Sequence, residues 1–146
     1  MNQAPTRRVF LRCLAVGAAA AAVPGCGQPA DAAPASFGDV AAGNVGTLAV
    51  GALRGVGGAP CIVGRDAAGV YAMTDTCTHE GCTVVVSGGS LACPCHGAAF
   101  DANGNVTRGP AKANLAHFAV EIASNGDITV HGGTAVGADV RVAVQA

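Results

Sequence analysis

Beyond Gly43 the apolar positions of this chain follow no helical spacing, and the segments are short, β-branched and punctuated by glycine. The clearest pattern is HFAVEIASNGDITVHG, residues 117–132. Phe118, Val120 and Ile122 alternate with small or polar neighbours, Asn125-Gly126 supplies a tight turn, and Ile128 and Val130 resume the alternation, which predicts a hairpin. Upstream, CIVGR (61–65) and VYAM (70–73) read as strands joined by the turn DAAG (66–69), and VGTLAVG (45–51) reads as another. TVVV (83–86) and SLA (90–92) flank SGG, a second hairpin signal, and VRVAV (140–144) predicts a last edge strand. Six to eight short antiparallel strands are expected over about a hundred residues, an all-β sandwich or barrel.

Composition sharpens this picture. The 146 residues are 51% hydrophobic but only 3% aromatic, with no Trp, so the core must be built from small side chains. The 22 glycines suit a chain with many tight turns. A domain of this size buries only about 65% of the surface its unfolded chain exposes, so a bridge or a cofactor would matter to its stability. Net charge is −1, and no nucleic-acid partner is expected. Arg7, Arg8 and Arg12 leave five basic against nine acidic residues in the remainder, a mildly acidic balance near −4.

The first 26 residues read as an address. A basic start precedes an apolar run from Cys13 to Val23, and eleven residues at 1.5 Å each cannot cross a hydrocarbon core of roughly 30 Å. TRRVFLR closely resembles the twin-arginine export consensus, which directs folded proteins across the bacterial plasma membrane. VPGC resembles a lipoprotein processing box, in which Cys26 becomes the lipidated N-terminus. QPADAAPAS (28–36) is too poor in apolar residues for a core and reads as a tether. The expected division is a signal over 1–26, a flexible linker over 27–38 and one folded domain over 39–146.

The chemistry concentrates in CTHEGC (77–82) and CPCHG (93–97), two Cys-rich loops holding one His each. A disulfide framework would leave the histidines surplus, and structural zinc would need only four of the six groups. A [2Fe–2S] centre in which two His replace two Cys on one iron takes two of each, leaving one Cys per loop to form a bridge in an oxidising compartment. Cys61 sits inside a strand pattern and reads as a buried small hydrophobe. His117 and His131 fall outside ligand spacing and are expected at strand ends.

The pair C-x-H-x-x-C and C-x-C-H-G resembles the Rieske iron–sulfur family, and AAFDANGNVTRGPAKANL (98–115) is similar to the segment that follows the second loop there, Gly109-Pro110 included. The resemblance runs from about Val45 to Val130. It implies a Rieske domain with a cluster-binding loop subdomain and one [2Fe–2S] cluster, with Cys77 and Cys93 on one iron and His79 and His96 on the other through Nδ1. Cys82 and Cys95 would form the disulfide of the exported, disulfide-containing type. Exchanging two thiolates for neutral imidazoles removes negative charge and lifts the potential into roughly −150 to +300 mV. The electron enters at the His-bound iron, and the outer ring nitrogens couple it to a proton.

Three positions depart from the quinol-oxidising pattern. Glu80 stands where an apolar residue follows the first ligand His, and Ala98 and Phe100 stand where Ser and Tyr hydroxyls bond sulfur. Fewer hydrogen bonds to sulfur, and a nearby carboxylate, both push the potential down. The reading reached is a one-electron carrier, exported to the periplasmic side and lipid-anchored through Cys26, exchanging electrons with a redox protein such as a cytochrome. The alternative is the Rieske subunit of a larger oxidoreductase, either a cytochrome bc-type quinol oxidase or a molybdenum enzyme resembling arsenite oxidase. A zinc-stabilised binding module is the alternative of a different class.

Overall fold

The computed structural model describes residues 36–145; Arg7, Arg8, Arg12, Cys13 and Cys26 lie outside the described residues. Within that range the strands are β1 (Asp39–Asn44), β2 (Leu53–Gly55), β3 (Cys61–Arg65), β4 (Val70–Thr74), β5 (Val85–Ser87), β6 (Ser90–Ala92), β7 (Ala99–Phe100), β8 (Val106–Arg108), β9 (His117–Ile122) and β10 (Asp127–Val136). They form a six-stranded sheet in the order β1-β10-β9-β4-β3-β2 and a four-stranded sheet in the order β5-β6-β7-β8. Every neighbouring pair is antiparallel. The all-β expectation is met. No helix of the described residues is long and apolar enough to cross a membrane.

The middle of the large sheet is covered on both faces, which is why CIVGR and VYAM are nearly continuous apolar runs. Alternation sorts their side chains into two cores. Cys61, Val63, Val70 and Ala72 join Phe118, Ile128 and Val130 on one side. Ile62, Tyr71 and Met73 join Leu91, Phe100, Leu115, Cys77 and Cys93 on the other, where the small sheet packs. Cys77 and Cys93 therefore take part in a hydrophobic core, although both lie just beyond strand ends. Phe37 precedes β1, its ring edge-on to Phe118 at 5.0 Å between centroids. Gly64 is required by the same packing, since a Cβ there would strike the Tyr71 ring.

Three local expectations are corrected. Residues 45–51 are not a strand: Asn44 Oδ1 accepts the Gly46 N–H at 2.9 Å and nucleates a 3-10 turn over Val45–Thr47. VRVAV contributes only a bridge between Val142 and Val70, because Arg141 turns inward. Its guanidinium lies 3.9 Å over the Tyr71 ring, and it donates to Asp66 at 2.6 Å and to Asn103 Oδ1 at 2.6 Å. The carbonyls of Ala138 and Val140 complete its shell. His131 lies inside β10, not at a strand end, flanked by Asp39 at 3.0 Å and Glu121 at 3.4 Å. His117 does open β9, as expected.

Candidate metal centre

β4 delivers the first Cys-rich loop and β6 the second, and the two loops close in the same way. The Cys77 N–H donates to the Cys82 carbonyl at 2.8 Å, and the Gly81 N–H returns to the Cys77 carbonyl at 2.9 Å. In the second loop the Cys93 N–H donates to Ala98 at 2.8 Å and the Gly97 N–H returns to Cys93 at 3.0 Å. Gly81 and Gly97 both sit at φ +75°, a conformation that favours glycine. The shared spacing Cys-x-x-x-Gly is the signal for this repeated turn, and sequence reading centred on the Cys and His residues missed it. Thr78 and Arg108 were missed as well. Thr78 Oγ1 donates to the Ala113 carbonyl at 2.6 Å, and Arg108 Nε donates to the Gly97 carbonyl at 2.9 Å. Each loop is thereby tied to the segment following β7.

The six sequence-predicted groups converge, and they separate into three pairs. Cys77 and Cys93 are free thiols, each 2% exposed. Cys82 and Cys95 are joined by a disulfide across the two loops, with Cα atoms 6.5 Å apart. The rings of His79 and His96 meet edge to face with centroids 4.9 Å apart, on the solvent side. Glu80 Oε2 lies 3.7 Å from His96 Nε2, and both side chains are about half exposed or more, at 62% and 47%.

The electrostatics of the buried pair differ between its two sulfurs, favouring the anion on Cys93 and not on Cys77. Burial pushes the Cys93 thiol up, but the N–H groups of Cys95 and His96 and the Cys77 thiol bond to its sulfur and leave it below its ordinary value. Cys77 is raised, first by burial and then by its neighbour Cys93, against the N–H groups of His79 and Glu80. Each sulfur thus faces two backbone N–H groups, a cradle suited to a thiolate ligand. Two buried sulfurs behind two outward imidazoles match the donor set of a [2Fe–2S] centre with two Cys and two His.

The remaining candidates stay apart from this centre. Cys61 is fully buried in β3 and its thiol is pushed up to about 11 by burial and the Asp75 carboxylate, as fits a small core residue. His117 is 3% exposed and stacks on Tyr71 with centroids 6.1 Å apart; its Nδ1 lies 3.2 Å from the Leu115 carbonyl and its Nε2 has no partner. Ala98 and Phe100 are fully buried beside the sulfurs, with no hydroxyl to offer.

The chain is similar to several known proteins. The sequence model described as Rieske [2Fe-2S] domain matches residues 39–119. The cytochrome b6-f complex iron-sulfur subunit of Synechococcus sp. (strain WH7803) is 47% identical over 57 residues, 38% of this chain and 32% of the relative. That of Prochlorococcus marinus (strain MIT 9211) is 45% identical over 64 residues, 41% and 36% of the two chains. The matched part therefore spans about a third of the length of these relatives. Among solved structures, the cyanobacterial plasma membrane Rieske protein PetC3 from Synechocystis PCC 6803 is 37% identical, with a TM-score of 0.52 over 62% of this chain and 97% of that one. A chain from the complex of oxygenase and ferredoxin in carbazole 1,9a-dioxygenase is 29% identical, with a TM-score of 0.51 over 68% and 97%.

Proposed function

The chain belongs to the Rieske [2Fe-2S] domain family, and on that premise we propose that it is an exported one-electron carrier whose cluster is held by Cys77 and Cys93 on one iron and by His79 and His96 on the other. The observation that carries the proposal is the sorting of donors, with two sulfurs buried in the core and two imidazoles at the surface. When bound, the cluster supplies a one-electron couple. The protein's own contributions are positional. N–H groups of the two loops stabilise charge on the sulfurs, the apolar core keeps water from them, and the Cys82–Cys95 bridge pins one loop to the other. The imidazole edges, lying at the surface, would form the contact face for a redox protein.

Export and attachment complete the reading. The twin-arginine motif around Arg7–Arg8 would carry the folded domain across the plasma membrane, and Cys26 would carry the lipid, leaving 27–38 as tether and 39–146 as the domain. The similarity to cytochrome b6-f iron-sulfur subunits favours a second reading, a subunit that takes electrons from quinol. Glu80, charged and 3.7 Å from His96 Nε2, weighs against it, since a quinone pocket is better lined with apolar groups.

The purified full chain should be coloured, contain two irons and give a Rieske-type EPR signal. Cys77→Ser, Cys93→Ser, His79→Ala and His96→Ala should each abolish that signal, and Cys61→Ser should keep it. A colourless protein containing zinc would overturn the proposal. Isolation as part of a complex with a b-type cytochrome would favour the second reading, and mass spectrometry of the mature N-terminus tests Cys26.

A further inference from the structure

One sulfur of the centre has a second reaction within reach. The Sγ atoms of Cys82, Cys93 and Cys95 all lie within 4.8 Å of one another, so the free Cys93 stands beside the disulfide that joins the other two. Cys93 is 2% exposed and shut away from external thiols, whereas Cys95 is at the surface. The nearest disulfide sulfur it can attack is therefore inside its own molecule, at the high effective concentration that a fixed neighbour provides.

We infer that, in a molecule without its cluster, Cys93 attacks the Cys82–Cys95 disulfide and converts it into a Cys82–Cys93 bridge, removing a cluster ligand and locking the chain in a form that cannot be reloaded. The inference rests on Cys93 being an iron ligand as proposed above. The step balances without oxidant or reductant. The Cys93 thiolate forms a bond to Cys82 Sγ, the Cys82–Cys95 bond breaks, and the electron pair leaves on Cys95, which takes a proton from water.

Two features choose the direction of attack. Cys95 is exposed, so its departing thiolate is stabilised by water, while Cys82 is half-buried. Attack on Cys95 instead would close a bridge between residues only two apart with Pro94 between them, a tight ring whose middle residue has a fixed φ. Bound to iron, Cys93 has its sulfur lone pair engaged and the exchange is blocked. The bridge and the cluster then protect each other. A chain whose bridge closes before the cluster arrives is lost, so loading must precede oxidation.

The test begins with the full chain purified with its cluster, its iron content recorded. One half is kept intact, and the other is stripped anaerobically with an iron chelator in mildly alkaline buffer. Both are alkylated and digested without reduction, and the disulfide-linked peptides are identified by mass spectrometry. The intact half should contain Cys82–Cys95 alone. The stripped half should accumulate Cys82–Cys93 with Cys95 alkylated, in more than about a tenth of the chains, and should fail to regain iron and sulfide until a reductant is added. Cys93→Ser should keep the original bridge, and Cys77→Ser, which retains the attacking sulfur, should be found already exchanged. A stripped protein that holds only Cys82–Cys95 after hours overturns the inference, whatever its iron content was. A starting protein that lacks iron and sulfide yet carries Cys82–Cys95 with Cys93 free overturns the ligand assignment and the inference together, whereas one that carries Cys82–Cys93 supports the inference.

Discussion

Replacing Glu80 with Gln removes one negative charge from beside the centre and should raise its reduction potential. The carboxylate lies 3.7 Å from His96 Nε2. An iron held on the far ring nitrogen, as proposed, would put charge and metal roughly 8 Å apart. Glu80 is 62% exposed, so the effective dielectric is close to that of water rather than of the interior. Coulomb's law with ε of about 40–80 gives about 0.5–1 kcal/mol, equivalent for one electron to about 20–40 mV. An EPR-monitored redox titration of wild type and Glu80→Gln at neutral pH and low salt measures the difference. Repeating it near 1 M salt, where the Debye length is about 3 Å, should shrink the difference to a small fraction. An unchanged potential at low salt would refute the reasoning and mean that water fully screens this carboxylate from the metal. A salt-independent rise would point to altered ring geometry rather than to charge.

Other outcomes follow from the packing and charges. Ala98→Ser and Phe100→Tyr place hydroxyls in the fully buried layer around the sulfurs, and each hydroxyl that bonds a sulfur should raise the potential by about 40 mV, read by the same titration. Burial, aided by the Arg141 cation, holds the His117 pKa below its ordinary value against the Leu115 carbonyl and Asp101. Its contribution to stability is therefore full above about pH 6.5 and is lost as pH falls below that. Thermal melts between pH 8 and 5 should show His117→Phe flattening that acid loss. His131 works the other way, because Asp39 and then Glu121 raise its pKa, so its contribution is present in acid and lost as pH rises through the raised value. Arg141→Ala removes the stack on Tyr71 and the bonds to Asp66 and Asn103, which should cost about 2–3 kcal/mol and lower Tm by about 10–20 °C in a melt, while the EPR line shape stays unchanged.

The parts of the molecule that were legible are those whose meaning is local. CIVGR and the 117–132 hairpin could be read because alternation and a Gly turn fix a strand and its partner within a few residues. The two loops could be read because the metal-binding residue types are rare and closely spaced. What escaped depends on distant partners. VGTLAVG has a strand's composition, yet the Asn44 side chain and the Gly126 carbonyl, which takes the Val45 N–H at 2.9 Å, turn it into a bend. VRVAV alternates well, but Arg141 finds Asp66 and Asn103, 75 and 38 residues away, and is drawn under rather than along the sheet. β1 lacked a strong signal because its pairing with β10 is supplied by residues far downstream, as in Asp39 with His131. The division of β3 and β4 between two cores was likewise invisible, since a doubly buried strand and a singly buried one differ only in what covers the second face.

The burial of Cys77 and Cys93 behind His79 and His96 also governs traffic. With a cluster on these four residues, as proposed, the imidazole edges would offer the short way in and out for an electron, since Leu91, Phe100 and Leu115 bury the side of the two sulfurs. A donor and an acceptor that both need this doorway cannot stand in it together. Each turnover then requires one visitor to leave before the next arrives, so an excess of either slows exchange with the other. At high concentrations the flow of electrons would be set by dissociation, and a partner that binds more tightly would slow the exchange.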